Sequence, residues 1–470
     1  MILMQEEKSE AKLLMEKLLF EPKNGGIVMS DEEISKASNY CQGYKSFLNK
    51  AKTEREAVAF VVNEAEKRGF EPFDKHQKYQ KGDKVYYNNR GKAIILAVIG
   101  SNPLDEGIHI TAAHIDSPRL DLKQRPLYEQ GQIAEFKTHY YGGIKKYQWT
   151  AIPLALHGVI VKKDGTQINV SLGENENDPQ FCVTDLLPHL AKDQMKKTMS
   201  EAFTGEDLNV IVGCMPFRDD KESELVKLNI LNLLYEKYEI DEADFLSAEL
   251  SMVPAFKAVD IGFDRSLIGA YGHDDRVCAY SALTALFNCG ELETTSICVL
   301  ADKEEIGSEG NTGLVSSFLK YFIADLARPY GLMGRDVLCN SKCLSADVSA
   351  AFDPTYPQVS EKNNAAYINY GVCVSKYTGH GGKYDTNDCS AEYTAWIREL
   401  LDSKGIMWQL AELGKVDQGG GGTVAKYIAD LDVDTIDLGV PVLSMHSPFE
   451  LVAKLDVYST YRSCLEFYKA

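Results

Sequence analysis

Apolar and polar positions change their period twice along this chain. From Glu7 to about Arg68 they recur at helical spacing, with Leu13, Leu14, Lys17, Leu18 and Leu19 following one stripe. Ser30 and Glu33 in SDEE have the spacing of a capping box, which predicts a helix start there. The period then shortens. Over residues 84 to 100, KVYYNNRGKAIILAVIG alternates and runs apolar around a Tyr-Asn-Asn-Arg-Gly turn, predicting a hairpin. GIHITAAHID, residues 107 to 116, is apolar enough to be a strand buried in a sheet.

Residues 118 to 262 have a different character: short alternating stretches (AIPLALHGVIVKKDG, TQINVSL), a helical run TDLLPHLAKDQMKKTMSEAF, then NVIVGCMP. The long strand-helix alternation of the flanks is missing there, so 118–262 is expected to be an inserted β-rich domain between 1–117 and 263–470. From Gly269 strands and helices alternate: a helix from Arg276 to Asn288, strand SICVLA, helix SSFLKYFIADLA, strand KCLSADVSAA, a helix from Ala391 to Asp402, and IDLGVPVLSM as a final strand. That order predicts an α/β fold with a mixed, largely parallel central sheet covered by helices on both faces.

Composition narrows the function classes. The 470 residues carry 69 acidic against 50 basic side chains, a formal charge of −19, which repels phosphate backbones and anionic bilayers. Neither a nucleic acid nor a membrane is therefore expected as partner. The 11 cysteines are odd in number, scattered, and mostly inside apolar runs, as reduced core cysteines are. MILMQEEKSE lacks the apolar stretch of a secretory signal, and no run is long enough to span a membrane. A cytoplasmic α/β enzyme is the expectation.

On such sheets chemistry gathers at strand ends. His114 and Asp116 follow the 107–116 strand; a carboxylate beside an imidazole can take its second N–H and make the other nitrogen a better ligand, or the two can simply satisfy each other in the core. His273-Asp274-Asp275-Arg276 opens a helix, where an acid is either a cap or a bridge between two metal ions. Lys303-Glu304-Glu305 ends a buried strand, and its adjacent carboxylates can take two jobs, Glu305 as ligand and Glu304 as general base, or form a solvated turn. Asp347 in SAD and His446 in SMHSP stand at two further strand ends, each equally readable alone as a cap or a core histidine. Together, two histidines and three carboxylates form the N/O donor set that suits two Zn²⁺ ions, and Co²⁺ or Mn²⁺ as well. Paired metals of this kind polarise a carbonyl and generate hydroxide at neutral pH.

At these residues the chain resembles the aspartyl aminopeptidases, zinc exopeptidases that form closed shells. The likeness runs through GDKVYYNNRGKAIILAVIG, TAAHIDSPRLDLK, LLPHLA, HDDRVCAYSAL, DKEEIGS, LSADVSAAFDPTYP and LGVPVLSMHSPFELV, nearly the whole chain in order. The resemblance implies that Asp274 bridges two Zn²⁺ ions, one completed by His114 and Asp347 and the other by Glu305 and His446, with Glu304 as general base and Asp116 orienting His114. It also implies a zinc-exopeptidase-like fold whose insert drives dimerisation, six dimers building a twelve-subunit shell, and peptide substrates with acidic N-termini. His189 matches a family histidine that reaches a neighbouring subunit's active site, or is an ordinary surface histidine.

Two stretches depart from the family. Lys376 is followed by TGHGG and then Lys383-Tyr384-Asp385-Thr386-Asn387, which brings His380 and Tyr384 into consideration with Lys376 as contacts for the substrate side chain. Asp417 to Thr423 reads DQGGGGT, glycines that would let backbone N–H groups approach a substrate or act as a mobile linker; without GK[ST] the run is no phosphate loop. The same ligand set would serve a related dinuclear aminopeptidase or deacylase preferring neutral or basic side chains. A catalytically silent shell protein would show a broken ligand set, and none of the five positions is broken.

Overall fold

The computed structural model describes residues 9–219 and 221–470, so Glu7, where the helical period begins, lies outside them. The capping box forms as the spacing predicts: the Ser30 hydroxyl accepts from the Glu33 N–H, and the Glu33 carboxylate accepts from the Ser30 N–H. It opens the helix Asp31–Lys50, which buries Ala37, Cys41, Tyr44, Phe47 and Leu48 along one face. Ser30→Ala is expected to cost about 1 kcal/mol, read as a lower thermal midpoint with unchanged activity. The helix Glu10–Leu18 also forms, yet none of its residues is buried, so the Leu13, Leu14 and Leu18 stripe stays exposed.

Among the described residues the main sheet has nine strands, in the order Glu71–Pro72, Lys84–Asn89, Ala93–Val98, Ser296–Ala301, His109–His114, Lys342–Ser345, Asp434–Gly439, Val372–Ser375 and Trp408–Leu410. The predicted hairpin is the antiparallel pair Lys84–Asn89 and Ala93–Val98. The four strands from Ser296–Ala301 to Asp434–Gly439 are mutually parallel. Successive residues of the buried strands feed opposite cores. Ile94, Leu96, Cys298 and Leu300 pack with Tyr44, Val61, Val277, Leu283 and Cys464 on one face. Ile95, Ala97, Ile297 and Val299 pack with Phe318, Phe322, Ile323 and Ile428 on the other. Burial on both faces explains why these strands read as continuous apolar runs. All 11 cysteines are free, and eight of them are buried.

Among the described residues, seven antiparallel strands, all between Arg119 and Pro254, form a second sheet with its own core around Leu120, Phe136, Trp149, Leu156 and Met252. The helix expected over TDLLPHLAKDQMKKTMSEAF is not there: only the short turns Gln194–Lys196 and Met199–Ala202 are helical. Pro188 has no N–H to donate and pushes Leu187 out of the α region, which breaks the run. A helix at Leu225–Tyr238, and another at Lys454–Tyr468 after the expected final strand, lie outside the predicted elements.

Two predicted strands prove to be broken. KCLSADVSAA splits into Lys342–Ser345 in the main sheet and Ser349–Ala350 in a small third sheet. IDLGVPVLSM likewise splits into Asp434–Gly439 and Pro441–Leu443. The two chains leave the main sheet side by side, so close that a Cβ on Gly439 would lie 1.8 Å from the Asp347 carbonyl oxygen. Glycine at that position permits the approach, and the break exposes the end of the parallel strands.

Candidate metal centre

His114, Glu305 and Asp347 end or follow strands of the main sheet, while Asp274 and His446 follow Leu267–Ala270 and Pro441–Leu443 of the small third sheet. His114 is the last residue of its strand. Asp274 sits at the start of the helix His273–Phe287 in a non-helical conformation, φ −78° and ψ 110°. Glu304 and Glu305 follow Lys303, whose φ of 69° turns the chain sharply out of the strand Ser296–Ala301. Asp347 lies in the gap between Lys342–Ser345 and Ser349–Ala350. His446 occupies a turn before the strand Glu450–Ala453 and itself has φ 63°. Left-handed backbone at non-glycine residues concentrates at sites whose surroundings hold it in place.

These turns converge on Asp274. Its Oδ1 lies 3.1 Å from His114 Nε2, and its Oδ2 lies 3.1 Å from His446 Nε2. His114 Nε2 is also 3.8 Å from Asp347 Oδ1 and 3.7 Å from Glu304 Oε2. His446 Nε2 is 3.6 Å from Glu305 Oε2. His114, Asp274 and Glu305 together offer ligand atoms within 4.8 Å of one another, as do His114, Asp275 and Asp347. Asp275, which the sequence reading left without a role, is thus at hand, fully buried, with both carboxyl oxygens lacking a hydrogen-bond partner.

Each histidine is pinned through its other nitrogen. His114 Nδ1 is 3.1 Å from the Asp116 carbonyl oxygen and 3.4 Å from its carboxylate, so the chain turning out of the strand supplies two oxygens where the pattern indicated one. The Asp116 carboxylate accepts from the Tyr141 hydroxyl at 2.8 Å and from the Glu304 and Glu305 N–H groups at 3.1 and 3.2 Å. His446 Nδ1 lies 2.8 Å from the Gly143 carbonyl oxygen. Glu450 accepts from the Asp274 N–H at 3.1 Å and from the His446 N–H at 2.7 Å, tying two candidate ligands together through their backbones. Tyr141, Gly143 and Glu450 were not singled out from the sequence. The one available sign was a glutamate inside the apolar PFELV.

The protein's own charges compete for protons here. Burial, reinforced by the Asp274 and Asp116 carboxylates, pushes Glu304 up to about 7. Burial followed by Asp274 raises Glu305, and burial followed by Asp275 raises Asp347, both well above the usual carboxylate range. Against the pull of burial, hydrogen bonding to Asp274 and the charge of Glu305 hold His446 up at about 10. Carboxyl and imidazole groups that retain protons this strongly form a donor set in which divalent cations can replace those protons. Zinc fits it: imidazole nitrogens and carboxylate oxygens with their orientations already set by outer partners.

A cavity of about 560 Å³ opens onto this cluster. Asp274, Glu304, Glu305, Asp347 and His446 line it. Gly420, Gly421, Gly422, Thr423 and Lys426 line it too, so the glycine run borders the site. Lys376 follows the strand Val372–Ser375, and its charge acts on the buried Cys389 thiol. His380 pairs with Tyr384 through their backbones at 3.0 and 3.2 Å in the neighbouring loop, where Tyr384 is exposed. None of these three residues lines the 560 Å³ cavity. His189 is exposed in a loop among the exposed side chains Leu186, Leu187 and Leu190.

An α/β sheet whose strand ends gather imidazoles and carboxylates at an open cavity defines a metallohydrolase. Residues 47–468 match the family model for aminopeptidase I zinc metalloproteases (M18). A Clostridium acetobutylicum protein described as "Probable M18 family aminopeptidase 1" is 50% identical over 451 residues, covering 94% of this chain and 97% of the relative. The crystal structure of an M18 aminopeptidase from Thermotoga maritima superposes with a TM-score of 0.91 at 44% identity, covering 96% of this chain and all of that one. A solved S. cerevisiae mApe1 dodecamer shares the fold, with a TM-score of 0.75 at 22% identity over 93% of this chain and 97% of that one. The chain belongs to the M18 family and is a metallo-aminopeptidase. No helix among the described residues is long and apolar enough to cross a membrane.

Proposed function

We propose that this protein is a dinuclear zinc aminopeptidase that removes the first residue of peptides and prefers acidic N-termini. The observation that carries this reading is Asp274, which presents one carboxylate oxygen to His114 and the other to His446. Asp347 would complete the first site and Glu305 the second. Zinc held there supplies Lewis acidity and a water acidic enough to ionise near neutral pH. Glu304, which lines the cavity and has its carboxyl pushed up to about 7, takes the proton and returns it to the leaving amine. Asp116 holds the ring of His114 and, through two backbone amides, the positions of Glu304 and Glu305. A free α-amino group, as the neutral amine, could serve as a further ligand to metal held there, and an acylated terminus could not.

For the acidic preference, Lys426 joins Lys376, His380 and Tyr384 as candidate contacts of the substrate side chain, and it alone of the four lines the cavity. We further propose that residues 1–117 and 263–470 form the catalytic domain, 118–262 a dimerisation domain, and the whole a cytoplasmic dodecamer. Support comes from the separate core of the antiparallel sheet, from the free cysteines, and from the exposed leucines around His189. A neighbouring subunit would cover those leucines and receive His189.

Metal analysis and a substrate set on one preparation test the reading. Expected are two zinc ions per chain, faster hydrolysis of Asp and Glu aminoacyl substrates than of Leu or Lys ones, and no cleavage of N-acetylated peptides. Faster turnover of Leu or Lys derivatives would move the assignment to the neutral or basic alternative. Tyr141→Phe removes one donor from Asp116 and is expected to weaken zinc binding by about 10-fold, toward the lower end of outer-partner effects. Zinc titration by competition with a chelator reads it.

A further inference from the structure

We infer that Lys426 reads the side-chain carboxylate of the substrate's N-terminal residue, and that Asp385 is the resident carboxylate it displaces. Among the described residues lining the cavity, Lys426 is the one lysine or arginine. It stands on the short helix Ala425–Ala429, immediately after the glycine run, with its Nζ 3.2 Å from Asp385 Oδ1. The two partners are not equally held. The Asp385 side chain is 65% exposed, against 29% for Lys426, whose ammonium also lies 5.1 Å from the centre of the Tyr427 ring. A part-exposed pair of this kind is weak and exchangeable. The aspartate can turn out to solvent while the lysine stays in the wall, so an incoming carboxylate replaces one anion with another and leaves the half-buried lysine paired.

The glycines point the same way. Gly421 and Gly422 line the cavity without a positive φ, and a Cβ on either would approach nothing closer than 4.0 and 3.8 Å respectively. The backbone therefore does not require glycine at these two positions, and their missing side chains leave the approach to Lys426 open. Asp437, which also lines the cavity, is 4% exposed and takes hydrogen bonds from Ser345 and Thr423 through Oδ1, and the carboxylate paired with Lys426 is that of Asp385.

This inference rests on the aminopeptidase reading, and the test separates the two. Values of kcat/KM for Glu, Asp and Leu aminoacyl-p-nitroanilides are measured with the zinc-loaded full chain, wild type, Lys426→Gln and Asp385→Asn. Lys426→Gln is expected to lower the Glu-to-Leu ratio at least tenfold, and Asp385→Asn to raise it at least threefold. Zinc content and melting temperature confirm that both variants are folded, and Gly422→Val, which narrows the same approach, is expected to lower kcat/KM for Glu. A Glu-to-Leu ratio that stays within twofold in Lys426→Gln, or falls in Asp385→Asn, overturns the inference. A zinc-loaded wild type that cleaves none of the three substrates overturns the aminopeptidase reading itself. A wild type that prefers Leu overturns the acidic preference alone, and the ratio shifts still decide the role of Lys426.

Discussion

Glu304→Ala is expected to lower kcat by roughly 10²- to 10⁴-fold, the range for removal of a positioned general base, and to leave zinc content at the wild-type level. The separation of the two readouts follows from geometry. Glu304 Oε2 is 3.7 Å from His114 Nε2 and lines the cavity, but the shared carboxylate and both imidazoles contact one another without it. Its N–H, which helps to hold Asp116, belongs to the backbone and survives the substitution. Wild-type turnover in the variant would remove Glu304 from the mechanism. Loss of zinc together with activity would instead make it a ligand.

Asp274→Asn should do the opposite and empty the centre. An amide has one neutral oxygen and no anionic one, so on the proposed arrangement one zinc ion would lose this ligand and the other would keep only a weak one, and affinity is expected to fall by more than the roughly 10- to 100-fold typical of outer-partner substitutions. The fold is expected to tolerate the change. The Asp274 N–H is held by Glu450 and its carbonyl by the Ser117 hydroxyl, contacts the side chain does not make. Zinc content near zero after dialysis, with an unchanged circular dichroism spectrum, is the expected pair of results. Two tightly held ions in this variant would show that Asp274 does not bridge, and Asp275, within reach of His114 and Asp347, would be the next residue to replace.

Much of the fold was readable because burial on both faces leaves a plain mark. Runs such as AIILAV and SICVLA have no polar position to hide, and the main-sheet strands Ala93–Val98 and Ser296–Ala301 fall on them. The capping box at Ser30 was equally local. Elements were misread where one local signal overrode another. A helical period over residues 184 to 203 was broken by Pro188, and the strand run KCLSADVSAA conceals the step from one sheet to another at Asp347.

The candidate ligands could be picked out because each follows an apolar strand or opens a helix, and that depends only on neighbours in sequence. The partners that aim them could not. Glu450 reaches Asp274 across 176 positions and Gly143 reaches His446 across 303, and the lone acid in PFELV does not say which residues it holds. Sequence by itself singled out five candidate ligands, though not Asp275, and indicated that the sheet is buried on both faces, since residue type and period carry those signals. The tertiary structure alone decided that Asp274 lies between two histidines, that the strand turning at Tyr141 braces the centre, and that Lys426 lines the cavity while Lys376 does not. These are long-range distances, set by how loops cross at the broken end of the sheet, and no local period encodes them.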